Sequence, residues 1–558
     1  MRRLAAALTP LVMLPSPVAA QAERALAPRA HIDTSLNRTP HRYDVRLRRG
    51  ESLALVVNQR GVDVVVDVLD ERDSLLQSVD SPNGRQGPEP LELFSPSGGH
   101  YIVIVRPMDN REPGGPYTLD VTGWRDSAAT EMLLSTRRQA RDSAARWLRR
   151  HGTALDSSLA PLERLAGRAS VVALGEATHG SREFGDVRLR LTRYLVERMG
   201  YRIVALENSM SRLAVLDRYT RGEMQSRDSI NPVLDWGWIG RRTLRELVTW
   251  LRQWNDAHPR DQVHLVGLDA QDNVLARQTL RAFIARAYPE AVPRYMLVEQ
   301  ELAAADSQTW VFGNSSVDSS ARNFLHEQLA RIEADAPLLR YLFDTTLVRA
   351  GADAARQLFQ FADFNTARDA WSRSRDWYMA ANVLEALQAT PTAKAVLWAH
   401  NEHVRAVTGR SPSGSRTGTW LRAALGCRYG AIALAFDAGG FVAQLPNDLE
   451  DRLAVSNLPP APDESIEGVL RIARPPPLRA SIATWGCAER ARAPDWLQQP
   501  QRMHWVGALY APATAPSATF YPHRLTQEFD GIVFLPRVTA DEAPTDRPLV
   551  PARRLRQE

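Results

Sequence analysis

The stretch VVALGEATHGSREFG, residues 171–185, ends an apolar run on Glu176, His179 and Glu183. Three later apolar runs end in the same manner. IVALEN puts Glu207 at its exit, HLVGLDAQD puts Asp269 at its exit, and AVLWAHNEHV ends on His400 and His403. Imidazoles beside carboxylates can move protons at neutral pH or hold a metal ion. Each residue also has a plainer reading. Asp269 suits a helix N-cap, His179 could bond its own backbone, and Glu183 suits the positive end of the helix that follows it. Arg188 reads as a substrate clamp, an ion-pair partner of Glu207 or solvated helix surface. Glu176, His179, Glu207, Asp269, His400 and His403 stand at four successive strand exits, and that coincidence argues for one site. The candidate catalytic residues are therefore His179, Glu176, Glu207, Arg188, His400 and His403. Asp269, Trp236, Trp238 and Glu183 are the candidate substrate-binding residues.

Other chemistries lack their signatures. The chain has no G-x-S-x-G elbow, no Gly-rich phosphate loop and no GxGxxG. His400 and His403 flank Glu402 at a spacing too short for H-E-x-x-H. Proton transfer with no cofactor, and the holding of a divalent metal such as Zn or Mn by Glu176, His179, Glu207, His400 and His403, both stay open.

Residues so far apart converge only if the strands are parallel, because their carboxyl ends then share one sheet edge. The pattern supports that geometry. Val171–Leu174 is followed by Val187, Leu191, Leu195 and Met199 at helical spacing, then Gly200 as a C-cap, then the strand Ile203–Leu206. Such a crossover implies parallel strands. Residues 244–254 read as a helix and 263–268 as a strand. The span from roughly 275 to 390 is mostly helical, with a break at 313–320. Residues 395–398, 429–436 and 531–535 supply further strands, and the Pro-rich stretch 458–477 reads as surface loop. The fold class is α/β: a three-layer domain with a mainly parallel sheet and a helical insertion, over 126–545. Residues 23–125 read as a small jelly-roll-like β-sandwich, from short strands punctuated by Asn83-Gly84, Gly98-Gly99 and Gly114-Gly115-Pro116. Residues 546–558 read as a disordered tail.

The opening MRRLAAALTPLVMLPSPVAAQA has a basic start, a short apolar stretch and small residues before Ala20 and Ala22. That is the layout of a secretory signal peptide over 1–22, too short to span a bilayer, and it implies a periplasmic or secreted protein. Length favours two or more domains, and 44% hydrophobic with 24% charged residues describes a globular chain. The net charge of +5 is spread among interspersed acids, so neither a nucleic-acid track nor a membrane partner is indicated. Cys427 and Cys487 could form one disulfide or pack as two buried thiols.

GEATHG with Glu183 behind it, ALEN, and WAHNEHV, in that order, resemble the erythromycin esterase family over about residues 140 to 540. RDWYMAAN (Arg375–Asn382) and WLRQWN (Trp250–Asn255) fit the same pattern. The resemblance implies an α/β fold with a mixed sheet and a deep cleft, in which characterised resistance members hydrolyse macrolide lactones. It also implies His179 as the base, assisted by Glu176, with Glu207, Arg188, His400 and His403 lining the cleft. A neutral His179 would then take a proton from water, Glu176 or Glu207 would fix its tautomer, and Arg188, His400 and His403 would donate to the oxyanion. In the alternative hydrolysis the same Glu and His side chains would hold the metal, which acidifies bound water. A small-molecule ester or lactone would be the substrate. The family also includes proteins named for succinoglycan biosynthesis. A secreted glycan-binding or polysaccharide-assembly protein, touching glycan through its β domain, is therefore the reading from another class.

Overall fold

Alternation of side chains along the central strands decides the layering. In the strand Val171–Leu174, Val172 and Leu174 join one apolar core while Val171 and Ala173 join another, on the opposite face. A strand buried on both faces needs a layer of cover above and below. The computed structural model describes residues 24–542 except 82–84, 109–113, 235–240, 313–315, 367–372, 391, 408–414, 446–452, 474–479 and 511–515. The expected signal peptide, the expected tail, Trp236 and Trp238 lie outside the described residues.

The chain divides into two compact units, ending at Thr136 and beginning at Arg137. The first is all β apart from the start of the helix Ser127–His151. One sheet has five strands, in the order Arg24–Ala25, His41–Leu47, Gly99–Pro107, Val64–Leu69, Leu75–Val79. The other has four, in the order His31–Leu36, Gly115–Arg125, Ser52–Arg60, Gln86–Phe94. Val45, Val66 and Val103 from one sheet share a core with Leu55, Val57 and Leu119 from the other, which makes a sandwich. The division falls past residue 125 because the first turn of the helix belongs with the sheets: Ser52 Oγ lies 3.0 Å from Thr130 Oγ1.

The second unit is built on a nine-stranded sheet. Its strands in chain order are β1 (Gly152–Ala154), β2 (Val171–Leu174), β3 (Tyr201–Ser209), β4 (His264–Asp269), β5 (Lys394–Trp398), β6 (Tyr429–Gln444), β7 (Leu453–Leu458), β8 (Ser481–Thr484) and β9 (Gly531–Val538). The order is β1-β8-β9-β6-β2-β5-β3-β4, with β7 on the extension of β6. From β9 to β4 every pairing is parallel, and β1, β7 and β8 add antiparallel pairings. The helices α1 (Arg182–Met199), α2 (Met210–Thr220) and α3 (Arg241–Ala257) cover one face through Leu191, Leu195, Leu213, Leu247 and Leu251. The insertion runs through α4 (Val274–Ala287), α5 (Val292–Phe312), α6 (Ser319–Leu342) and α7 (Thr345–Asn365), which share a separate core. The helices α8 (Arg375–Ala389), α9 (Asn401–Val404) and α10 (Thr417–Leu425) follow, with Met379, Val383 and Leu421 on the other face of the sheet. The expected three-layer α/β fold and its helical insertion are both present. No helix among the described residues is long and apolar enough to cross a membrane.

The Pro-rich stretch corrects the sequence reading. It contains a helix, Ile466–Ala473, whose Ile466, Val469, Leu470 and Ala473 are buried. Pro459, Pro460 and Pro462 precede the helix, so they mark its approach without interrupting it. The two cysteines are joined: Cys427 and Cys487 form a disulfide with Cα atoms 5.6 Å apart across 60 residues of chain. A closed loop of that length restricts the unfolded chain, an effect of roughly 2–4 kcal/mol. Reduction should therefore lower the urea midpoint of the wild-type protein and leave a Cys427→Ser/Cys487→Ser double variant unmoved. Equal midpoints for oxidised and reduced wild type would show that the bridge contributes nothing.

Candidate active site

Strand register assembles the site. Leu174 pairs with Trp398, and Trp398 pairs with Leu206 on its other side, so β2, β5 and β3 end level with one another. Glu176, His400 and Glu207 follow within two residues of those paired positions. Gly267 on β4 pairs with Leu206, and Asp269 closes that strand. A small pocket of about 50 Å³ opens at this edge, lined by Glu176, His179, Arg188 and Glu207, with Leu206, Leu244 and Trp398 as an apolar wall.

His179 Nδ1 lies 2.9 Å from Glu176 Oε1, and Arg188 Nη2 lies 2.7 Å from Glu176 Oε2. All three side chains are buried. Burial alone would raise the Glu176 pKa, but Arg188 and the bonded His179 ring overcome it and hold the carboxyl below its ordinary range. The carboxylate fixes the imidazole as the Nδ1–H tautomer, which puts the ring's lone pair on Nε2. The loop bearing His179 is pinned on both sides. Gly180 sits at φ 64°, and a Cβ there would lie 2.8 Å from Val442 Cβ, so glycine suits both the turn and the contact. Its carbonyl accepts from Val442 N at 3.3 Å and Asp541 N at 2.8 Å.

Glu207 anchors a second cluster. Its Oε1 accepts from Arg375 Nη2 at 2.9 Å and lies 3.2 Å from His403 Nε2, while Oε2 accepts the His400 backbone N–H at 2.8 Å. Arg375 also holds Asp269 with both its Nη2 (2.7 Å) and its Nε (3.0 Å). His403 Nδ1 lies 2.8 Å from Asp376 Oδ1. Burial opposes charge on His403, but Asp376 and Glu207 prevail and push its pKa up to about 10. With a carboxylate at each nitrogen, the ring is an imidazolium. Burial likewise opposes the Glu207 anion, yet His403 and Arg375 hold its pKa well below the usual carboxylate value. Asp376 falls to about 2, because His403 and Thr417 outweigh its burial.

His400 is the opposite case. Burial, then the neighbouring His179, push its pKa down to about 4. Both ring nitrogens are engaged: Nε2 lies 3.1 Å from the Val506 carbonyl, and Nδ1 accepts from Glu402 N at 3.2 Å. The His179 and His400 ring centroids are 5.0 Å apart.

The fold thus gathers Glu176, His179, Arg188, Glu207, Asp269, His400 and His403 into one region. Asp269 faces Arg375, and Glu183 is turned elsewhere: its carboxylate accepts from Thr539 N at 2.6 Å and Thr539 Oγ1 at 2.8 Å, beyond the end of β9. Arg375 and Asp376 open the RDWYMAAN motif but were not singled out as site residues, since they open a helix and do not follow a strand. The signal was there nonetheless. An arginine in the first turn of a helix opposes the macrodipole and asks for a carboxylate partner. Among the described residues, no group of three or more His, Cys, Asp or Glu side chains is arranged to hold a metal ion.

Comparison with known proteins bears on the fold and the family. The chain is 26% identical to erythromycin esterase type I of Escherichia coli over 291 residues, which cover 48% of this chain and 70% of that protein. A solved succinoglycan biosynthesis protein superposes with a TM-score of 0.54 at 18% identity, covering 73% of this chain and 98% of its own. The erythromycin esterase EreC, solved as a histidine-to-asparagine mutant in its open conformation, gives 0.50 at 18% identity, covering 68% and 94%. These two structures share the fold. Fold and relatives together mark the chain as a hydrolase of the esterase type. A family model described as erythromycin esterase matches residues 196–538, and the chain belongs to that family.

The two histidines should titrate in opposite directions, with consequences for stability. A raised His403 pKa stabilises the fold fully below its ordinary 6.5, and this is lost as the pH climbs through about 10. A lowered His400 pKa costs stability as the pH falls from 6.5 towards about 4. Nitrogen-resolved NMR should find His403 doubly protonated at about pH 8 and His400 singly protonated at about pH 5.5. Titration of either ring near its ordinary value would contradict the arrangement.

Proposed function

We propose that the protein hydrolyses a carboxylic ester or lactone by direct attack of water, with His179 as general base. The supporting observation is the buried bond from His179 Nδ1 to Glu176 Oε1, at 2.9 Å, in a cavity shared with Arg188 and Glu207. Nε2 takes a proton from water as the water oxygen attacks the ester carbonyl. Glu176 holds the ring's orientation and stabilises the imidazolium that forms. Help of this kind is worth about 10²- to 10⁴-fold. The guanidinium of Arg188 supplies positive charge beside the developing oxyanion. When the tetrahedral intermediate collapses, the proton passes from His179 to the departing alkoxide.

The roles of the other two histidines differ from oxyanion donation. His400 has both nitrogens engaged, and we assign it to holding the Val506 and Glu402 backbone in place. His403 and Arg375 neutralise Glu207, which is thereby kept as a buried anion facing His179. The substrate is a small molecule. The name of the Escherichia coli relative, erythromycin esterase, suggests a macrolide lactone as the first compound to offer. The proposed chemistry requires no metal. Glu176, Glu207 and His403 are already bonded to charged partners, and a cation there would face Arg188, Arg375 and the His403 imidazolium. Export through residues 1–22 is part of the same reading, as is a glycan contact for the β unit.

Purified wild type and His179→Ala should be compared on p-nitrophenyl esters and a macrolide lactone, with and without a chelator. The variant should lose at least about a hundredfold in kcat at unchanged Tm, and the chelator should do nothing to wild type. Retention of more than about a tenth of the rate removes His179 from the role, and chelator-sensitive turnover overturns the metal-free reading. Silence across the panel, with saturable glycan binding, would replace the enzyme by a binding protein.

A further inference from the structure

Glu207 and Asn208 are neighbours in β3, where adjacent side chains ordinarily point to opposite faces of the sheet. Both nevertheless line the pocket that holds His179. The strand register accounts for this. Leu206 pairs with Gly267 and Ser209 with Asp269, so three steps along β3 match two along β4, and the extra residue makes a bulge at Glu207 and Asn208. A bulge interrupts the ladder and re-aims a side chain, and bulges are frequent beside active sites.

The bulge is pinned at both ends. Glu207 is held by Arg375 and by the His400 backbone N–H. Ser209 Oγ donates to the Asp272 carbonyl at 2.9 Å and accepts from Nε2 of the buried Gln357 at 3.2 Å. Gly267 lets β4 come this close: a Cβ there would lie 2.5 Å from Ser209 O and 2.7 Å from Met210 Cα. Between these anchors, Asn208 Oδ1 accepts the Ser209 N–H at 2.7 Å. A backbone N–H can only donate, so that contact fixes which end of the amide is Nδ2. Nδ2 keeps accessible surface and has no partner among the described residues.

The pocket, at about 50 Å³, has room for little more than a carbonyl group and its attacking water, which fills about 30 Å³. The rest of a substrate stays outside. Glu176 and Glu207 on the wall are anions and His179 Nε2 offers a lone pair, so all three repel a carbonyl oxygen. Arg188 and Asn208 carry donors, and Arg188 already binds Glu176 through Nη2.

We propose that Asn208 is a catalytic residue whose Nδ2–H donates to the carbonyl oxygen of the bound ester as it becomes an oxyanion. This rests on the hydrolase reading above. The water oxygen bonds to the carbonyl carbon as His179 takes a water proton. The C=O π pair moves onto oxygen, where the Asn208 amide and the Arg188 guanidinium receive the charge. The pair returns as the C–O bond to the alkoxy group breaks, and the alkoxide takes the proton held by His179.

Two variants test this. Asn208→Asp keeps the acceptor for Ser209 N–H and loses the donor; Asn208→Ala loses both and adds no charge. On a p-nitrophenyl ester each should lose about 10²- to 10³-fold in kcat, with KM within about threefold of wild type. Either variant keeping more than about a third of wild-type kcat overturns the role, as does a loss confined to KM. Impairment of alanine alone would trace to the Ser209 bond, and of aspartate alone to its charge. Asn208→Leu, an uncharged residue of similar shape, is read in place of a variant whose melting shows that it has not folded. Should wild type prove inert on every ester, the hydrolase reading fails, and Asn208 is judged by binding of an alkyl phosphonate monoester, a stable mimic of the tetrahedral anion. Binding about tenfold or more weaker in Asn208→Ala than in wild type retains Asn208 as an anion donor. Equal affinity in the two proteins, or no binding to wild type, overturns it.

Discussion

Burying Glu176, Glu207, Asp269 and Asp376 together at one edge of a sheet is the constraint to which the rest of the site answers. An unpaired carboxylate in so apolar a place would cost several kcal/mol or take up a proton. None is left unpaired. Arg188 holds Glu176, Arg375 bridges Glu207 and Asp269, and the His403 imidazolium spans Glu207 and Asp376. Breaking one such pair strands the partner charge, so these contacts also fix which conformation the loops can adopt. The apolar strands that carry the carboxylates, and the helices that deliver the cations, are held to one register by this pairing.

A shell of arginines extends the same logic outward. Arg416 reaches towards Asp376 at 3.8 Å and bonds Glu402 at 2.5 Å; Arg405 bonds Glu402 at 2.8 Å and lies 3.4 Å from Glu528. His523 lies 2.8 Å from Glu528 and stacks on Trp505, with ring centroids 4.0 Å apart. Trp505 packs edge-on against His400. Charge alternates along this chain, so no member is stranded, and the loop holding Val506 against His400 is packed from behind.

The strand-end residues were legible because an apolar run that stops on an ionisable group leaves a local mark. Once the strands are parallel, that mark becomes a position in space. The partners on helices left a fainter one. Arg375 and Asp376 open α8, and nothing in their spacing ties them to Glu207 across more than a hundred and sixty residues. Glu183 shows the reverse: a glutamate within the right motif was taken by Thr539, a contact that only the return of β9 beside α1 creates. The helix Ile466–Ala473 was hidden by its prolines, which are boundary residues when they stand in front of a helix and breakers only inside it.

On the proposed mechanism, the pairing also shapes how His179 is used as a base. Two imidazoles with ring centroids 5.0 Å apart cannot both carry charge in a buried site without strong repulsion. The fold resolves this by keeping His400 neutral: burial disfavours its charged form, and each of its nitrogens already has a backbone partner. A proton arriving on His179 then meets a neutral neighbour, the bonded carboxylate of Glu176 and the nearby anion of Glu207. On the proposed mechanism those two carboxylates stabilise the imidazolium that forms on His179 as water attacks. On this account His403 is charged so that Glu207 can remain an anion, and His400 is neutral so that His179 can become a cation.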